Sequence, residues 1–194
     1  MKLTKKLILL ALILFLFPAS TFAAGFEYKP VKEHKGKDIT PVDAYRMLKT
    51  GLKTTFLIDV RTRAEYEFVG HAEGAYNIPF MFLTNDASPM GYKLVFNHDF
   101  TKALLALFNP EKDTLLFYCK NGHRSVMAAD AAVKAGFSEA RVFSIMGGFE
   151  GDPDRNPESI YYDKPYYGGW KQEGLPWTYN MDSRLMYQPD VEKK

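Results

Sequence analysis

Cys119 is the only cysteine in a chain of 194 residues, and it opens the run Cys119-Lys120-Asn121-Gly122-His123-Arg124-Ser125. A lone thiol followed by basic residues and a glycine suits nucleophilic chemistry. The thiolate is the reactive form, and nearby cations and backbone N–H groups favour it. The competing reading is a free cysteine serving as a small core hydrophobe. The basic, glycine-containing surroundings weigh against that reading.

The flanking residues say how the thiol is held. Leu115-Leu116-Phe117-Tyr118 reads as a buried strand, and Val126 to Lys134 reads as a helix. A loop between a strand end and a helix start directs backbone N–H groups at an anion. Gly122 lets such a loop curl where a Cβ would obstruct it.

Further elements alternate along the chain. Thr40 fits an N-cap and Pro41 the first helical position, with Ala44, Tyr45, Leu48 and Leu52 following at helical spacing. Thr55 to Val60 reads as a strand, Ala64 to Phe68 as a helical turn or two, and Ala75 to Pro79 as an extended segment ended by proline. Asn, Asp, Ser, Pro and Gly crowd residues 84–98, which predicts a loop. Phe100 to Phe108 has a helical pattern, and Arg141 to Ile145 reads as one more strand. This order predicts an α/β fold: a mostly parallel central sheet with helices on both faces. Reactive groups in such sheets lie beyond the carboxyl ends of strands, which is where Cys119 falls.

The amino terminus carries Lys2, Lys5 and Lys6, then eleven apolar residues from Leu7 to Phe17, then Pro18 and the small-residue stretch Thr21-Phe22-Ala23. This pattern predicts a secretory signal peptide over residues 1–23, with cleavage after Ala23 or Ala24. The alternative is an uncleaved amino-terminal anchor, although spanning a bilayer takes about 20 apolar residues. Removing residues 1–23 takes away three lysines and no acid, leaving 22 basic against 23 acidic residues. The expected location is periplasmic or secreted. Residues 24–37 are expected as a flexible arm.

A single exported cysteine cannot close an internal disulfide, and an odd one suggests a reactive thiol. His34, His71, His98 and His123 show no paired ligand spacing, so no metal and no cofactor is expected. No clustered basic face suggests nucleic acid.

Four motifs then fall in the order of a known family. Asp59-Val60-Arg61-Thr62-Arg63-Ala64-Glu65-Tyr66 with Gly70 to Pro79 resembles the first signature of rhodanese-like domains. The Cys119–Arg124 loop of six residues resembles their active-site loop. Gly147-Gly148-Phe149 and Trp170 to Pro176 resemble their last turn and exit helix. The resemblance covers residues 38–178, with an insertion at about 149–169 and a tail at 179–194. It implies a single rhodanese fold and thiosulfate-type sulfurtransferase chemistry. Cys119 would take the outer sulfur of a small thiosulfate-like anion and pass it to cyanide or a thiol, a protein thiol included. The backbone from Lys120 to Ser125 would hold the resulting anion. Lys120 and His123 would face the mouth, and family position pairs Arg124 with Glu65. Asp59, Arg61 and His71 are read as structural: Asp59, near the loop by family position, either orients the loop by hydrogen bonds or caps the following helix, and a solvated turn is the bland alternative for the acid-base run.

Two other readings stay open. A related phosphatase or arsenate reductase would need a loop one residue longer. A persulfide carrier serving one dedicated partner would show little small-molecule turnover. The insertion, with Tyr161, Tyr162, Tyr166 and Tyr167, is read as a surface excursion in preference to a lid.

Overall fold

The structure is a computed structural model, and it describes residues 26–187 except Leu52 and Met90. The expected signal peptide and its cleavage site lie outside the described residues.

In chain order the elements are β1 (Lys37–Ile39), α1 (Pro41–Thr50), β2 (Thr55–Asp59), α2 (Arg63–Phe68), β3 (His71–Ala72), β4 (Tyr76–Asn77), β5 (Met81–Ser88) and β6 (Gly91–Phe96). There follow α3 (Phe100–Leu107), β7 (Thr114–Tyr118), α4 (His123–Lys134), β8 (Val142–Ile145), β9 (Asp152–Pro153), β10 (Pro165–Tyr167), α5 (Gly169–Gln172) and β11 (Trp177–Thr178). The main sheet runs β1-β8-β7-β2-β4, and each of its pairings is parallel. β7 is therefore central, with its backbone paired on both sides.

Residues along β7 alternate between two packed layers, as the period of two in a strand requires. Leu115, Phe117 and then Cys119 join a core with Phe100 and Leu104 of α3 and Ala128, Ala129 and Ala132 of α4. Leu116 and Tyr118 face the other way, into a core with Ala44 of α1 and Trp170 of α5. Helices thus cover both faces, as the alternation of elements predicts. Small alanines on α4 let that helix lie close over the sheet.

Local signals act where the sequence places them. The Thr40 hydroxyl accepts from the Asp43 amide at the start of α1, and Pro41 occupies its first turn. Thr62 and Glu65 form a reciprocal capping box on α2, each side chain accepting from the other's backbone N–H.

One expectation needs correction. Residues 84–98 are not a loop but mostly the antiparallel hairpin β5–β6, whose register shifts between Leu83 and Ala87. The turn formers sit in and around its tip, while the apolar residues either side pair across the strands. Asp59 and Arg61 are both fully buried, which removes the solvated-turn alternative for the acid-base run after β2. The insertion also contains a short antiparallel ribbon, β9 with β10.

The segments outside the regular sheet make specific contacts. The Tyr28 hydroxyl donates to Glu173 Oε1 at 2.5 Å and accepts from the Gly169 amide at 3.0 Å. The Lys35 amide donates to Asp130 Oδ1. At the other end, the Asn77 amide donates to the Leu185 carbonyl at 2.8 Å, and Tyr187 stacks on Phe82.

Candidate active site

Cys119 follows the last residue of β7 and is 1% exposed. Its Sγ accepts a hydrogen bond from the Gly122 amide at 3.2 Å, so the loop closes back over the sulfur. Gly122 has φ +107°, a conformation open to glycine and strained for other residues. The helix α4 begins at the next residue, so its positive end lies beside the thiol.

The loop is held from behind by the turn after β8. Phe149 N–H donates to the Cys119 carbonyl at 2.8 Å, and Glu150 N–H donates to the Lys120 carbonyl at 2.9 Å. Gly148 makes that approach feasible: a Cβ there would lie 2.4 Å from the Cys119 oxygen and 2.8 Å from the Asn121 nitrogen. Ser125 lies inside α4 and is buried. Its hydroxyl donates to the Gly122 carbonyl at 2.8 Å and shares a 2.9 Å bond with Ser144 of β8. The side chain of Ser125 is thus a post under the loop.

Arg124 and Glu65 form a two-pronged ion pair, Nη1 to Oε2 at 2.7 Å and Nη2 to Oε1 at 2.6 Å. Burial alone would raise the Glu65 pKa. The hydrogen bonds and charge of Arg124, with further bonds from Thr62, overcome it and hold the carboxyl down to about 2. Burial likewise opposes the Arg124 charge, but Glu65 and, more weakly, Cys119 raise its pKa. Glu65 therefore joins the capping box of α2 to the wall of the Cys119 loop. The Thr62-x-x-Glu65 spacing could have revealed the cap from sequence. The reach to Arg124 has no local signal.

The floor is a second ion pair. Arg61 Nη2 donates to Asp59 Oδ2 at 2.6 Å and to the Gly70 carbonyl at 2.7 Å. Arg61 Nη1 is buried without a hydrogen-bond partner. The guanidinium lies 4.3 Å from the centroid of the Phe149 ring, so part of its charge is met by a π face. Since Phe149 also holds the Cys119 carbonyl, the Asp59–Arg61 pair supports the loop from below. His71 is buried, stacked on Tyr66 at 3.6 Å.

The remaining loop residues face outward. Lys120 and His123 are exposed and Asn121 is half-buried. Beside Lys120 and Arg124 a groove opens between α2 and the β5–β6 hairpin, walled by Phe68, Leu83, Tyr92 and Leu94. These four are exposed apolar or aromatic side chains, and sequence reasoning did not single them out. The structure thus brings Cys119, the whole 120–125 loop, Glu65, Asp59 and Arg61 into one region. Among the described residues no cluster of His, Cys, Asp or Glu could hold a metal ion.

A family model described as the rhodanese-like domain matches residues 40–152. An uncharacterised protein of Rickettsia conorii is 32% identical over 144 residues, covering 74% of this chain and 98% of that protein. Thiosulfate sulfurtransferase 16, chloroplastic, of Arabidopsis thaliana is 31% identical over 119 residues, covering 61% of this chain and 76% of that one. Among solved structures, the crystal structure of Rv0390 from M. tuberculosis aligns with a TM-score of 0.58 at 28% identity, covering 76% of this chain and all of that one.

Proposed function

The chain belongs to the rhodanese-like family, and from that premise we propose that it transfers sulfane sulfur through a persulfide on Cys119. The observation that carries this reading is the Cys119 sulfur at the end of the central strand, with the Gly122 amide donating to it and α4 starting behind it.

The thiolate attacks the outer sulfur of a thiosulfate-like donor. A new S–S bond forms, the donor's S–S bond breaks, and sulfite leaves with the bonding pair. The Cys119 persulfide carries its negative charge on the outer sulfur, where the loop N–H groups and the helix end stabilise it. Cyanide or a thiolate then attacks that outer sulfur, and Cys119 leaves as the thiolate it was. Two displacements at sulfur replace one difficult transfer.

The residues divide the work. Lys120 and His123 draw anionic donors to the mouth. Arg124 braces the loop through Glu65 and adds positive field. Asp59, Arg61 and Ser125 keep the loop from relaxing. Because the thiol is buried, the donor must offer a slender terminal sulfur, and the persulfide extends the reactive end by about 2 Å.

We further propose that the chain is exported. The three lysines, the apolar run Leu7–Phe17 and the small residues before Ala24 support a cleaved leader. Edman sequencing of the protein isolated from cells tests it: a chain starting at Gly25 or Ala24 is expected, and one starting at Met1 overturns it.

Turnover is tested by thiocyanate formation from thiosulfate and cyanide. The wild type forms thiocyanate and Cys119→Ser does not. Cys119-dependent phosphate-ester hydrolysis without thiocyanate would instead favour the oxyanion chemistry. Sulfur loading without turnover would favour a carrier with a dedicated protein acceptor.

A further inference from the structure

The β5–β6 hairpin has one covered face and one open face. Phe82 of β5 stacks on Tyr187, and the Arg63 guanidinium lies over its ring at 5.7 Å. On the other face Leu83 of β5 stands opposite Leu94 of β6, and Tyr92 lies two residues from Leu94 on the same side. These three side chains share a groove with Phe68, the last residue of α2. All four are apolar or aromatic, and between 38% and 75% of each is exposed. An apolar face left so open marks a binding surface.

Position, size and charge identify the occupant. The groove ends on the thiol loop, where Lys120, Asn121 and Arg124 complete its wall. A molecule lying in it therefore has one end beside Cys119. Its volume is about 710 Å³, room for a ligand far larger than thiosulfate or cyanide. Cys119 is 1% exposed, so an acceptor must offer its thiol on a slender, extended chain. β5 and β6 pair only with each other among the described residues, which leaves strand edges to which an extended chain can add. Arg124 is committed to Glu65, whereas Lys120 is exposed and holds no ion pair among the described residues. The free charge at the loop end of the groove is thus positive, and it suits a carboxylate beside the incoming thiol.

We infer that this groove is the acceptor subsite, and that its occupant is an extended segment of a protein acceptor in which an acidic residue adjoins the reacting cysteine and apolar residues follow at alternate positions. The inference rests on the sulfur-transfer reading of Cys119. In an extended chain, side chains two and four residues from the cysteine point the same way as it does. They settle between Phe68 and the hairpin while the cysteine enters the loop. The acceptor thiol gives its proton to water, and its thiolate attacks the outer sulfur of the Cys119 persulfide. One S–S bond forms as the other breaks, Cys119 leaves with the bonding pair, and the acceptor departs as the persulfide. Cyanide and small polar thiols leave the apolar walls bare.

The test uses the whole protein and a synthetic peptide with a glutamate just before its cysteine and leucines two and four residues after it. A second peptide has serine in place of both leucines. The protein variant is Tyr92→Ser with Leu94→Ser, and Phe68→Ser on the opposite wall replaces it should circular dichroism show the hairpin altered. Binding is read first, by fluorescence anisotropy, with the peptide cysteine changed to serine so that no sulfur moves. The wild type is expected to bind the leucine peptide about tenfold more tightly than the serine peptide, and the variant to lose that preference. Transfer from thiosulfate-loaded protein is then followed by mass, as the rate to each peptide relative to the rate to cyanide, with the same preference and the same loss expected. Equal handling of the two peptides by a loaded wild type that serves cyanide, or a preference that survives in the variant, overturns the groove alone. Butanethiol taking sulfur as fast as the leucine peptide also overturns the inference and assigns the groove to a small apolar thiol. A protein that binds the leucine peptide through the groove yet takes sulfur from no sulfane donor overturns the sulfur-transfer reading, and the acceptor role with it.

Discussion

Arg124 on the first turn of α4 grips Glu65 on the first turn of α2 with both guanidinium prongs, across 59 residues of sequence. The same carboxylate accepts from the Thr62 backbone and hydroxyl. One side chain thus caps a helix and fixes the wall of the thiol loop. Glu65→Ala removes both functions and leaves Arg124, largely buried, without its partner. We expect a loss of about 2–4 kcal/mol in urea denaturation and slower sulfur transfer. Arg124→Lys keeps the charge but not the fork, so it should not restore the wild-type rate. A fully active Glu65→Ala protein of wild-type stability would show that the pair is incidental.

The pair also predicts an acid limb. Glu65 has its carboxyl held down to about 2 from an ordinary 4.5. A depressed carboxyl stabilises the fold above its unfolded pKa, because the unfolded chain takes up the proton first as pH falls. That contribution is complete above about pH 5 and is lost between about 4.5 and 2. Its ceiling is about 3 kcal/mol, reduced because the side chain is one quarter exposed and partly screened. Melting temperatures measured from pH 6 to pH 2.5 should therefore fall more steeply for the wild type than for Glu65→Gln. Parallel curves would contradict the assignment.

Asp59 and Arg61 are both 0% exposed, so neither tolerates loss of the other. Arg61→Met strands the Asp59 carboxylate and should cost about 3–5 kcal/mol. Asp59→Leu with Arg61→Met removes both charges, and should cost less than the sum of the single changes. A double-mutant cycle on denaturation midpoints reads this coupling directly. Additive costs would mean that the two residues do not act as a pair.

Gly148 is where the backbone beneath the thiol loop comes closest. A Cβ there would meet the Cys119 carbonyl at 2.4 Å, and φ is +57°. Gly148→Ala should push the loop off its two backbone hydrogen bonds, destabilise the domain by about 1–3 kcal/mol, and depress sulfur loading more than Gly74→Ala. Gly74 also has positive φ but open space around it, so it isolates the steric part. Equal loading in the two variants would show that the close approach at Gly148 does not shape the thiol loop.

Much of this arrangement was legible in the sequence, for identifiable reasons. Leu115 to Tyr118 is a continuous apolar run because β7 is buried on both faces, and α4 follows at once with small residues on its packed side. The thiol between them, and the Thr40 and Pro41 start of α1, are local signals that the fold leaves in place. The β5–β6 hairpin was hidden because its tip carries the turn formers, while its pairing partners, such as Phe82 and Val95, stand thirteen residues apart. The burial of Asp59 and Arg61 was hidden for a different cause. A short charged turn is exposed unless something distant covers it, and here Phe149 and the Gly70 carbonyl do. The Arg124–Glu65 contact came from family position alone, since nothing near either residue announces the other.

Sulfur carried on Cys119 changes the mass of the protein, so intact mass spectrometry reads it without a partner or a coupled assay. Purified protein is weighed before and after thiosulfate, and again after cyanide. A gain of one sulfur atom, about 32 Da, that cyanide removes and that Cys119→Ser never shows is the predicted result. An unchanged mass in the wild type with thiosulfate and with other sulfane donors, or a gain that survives in Cys119→Ser, would contradict it.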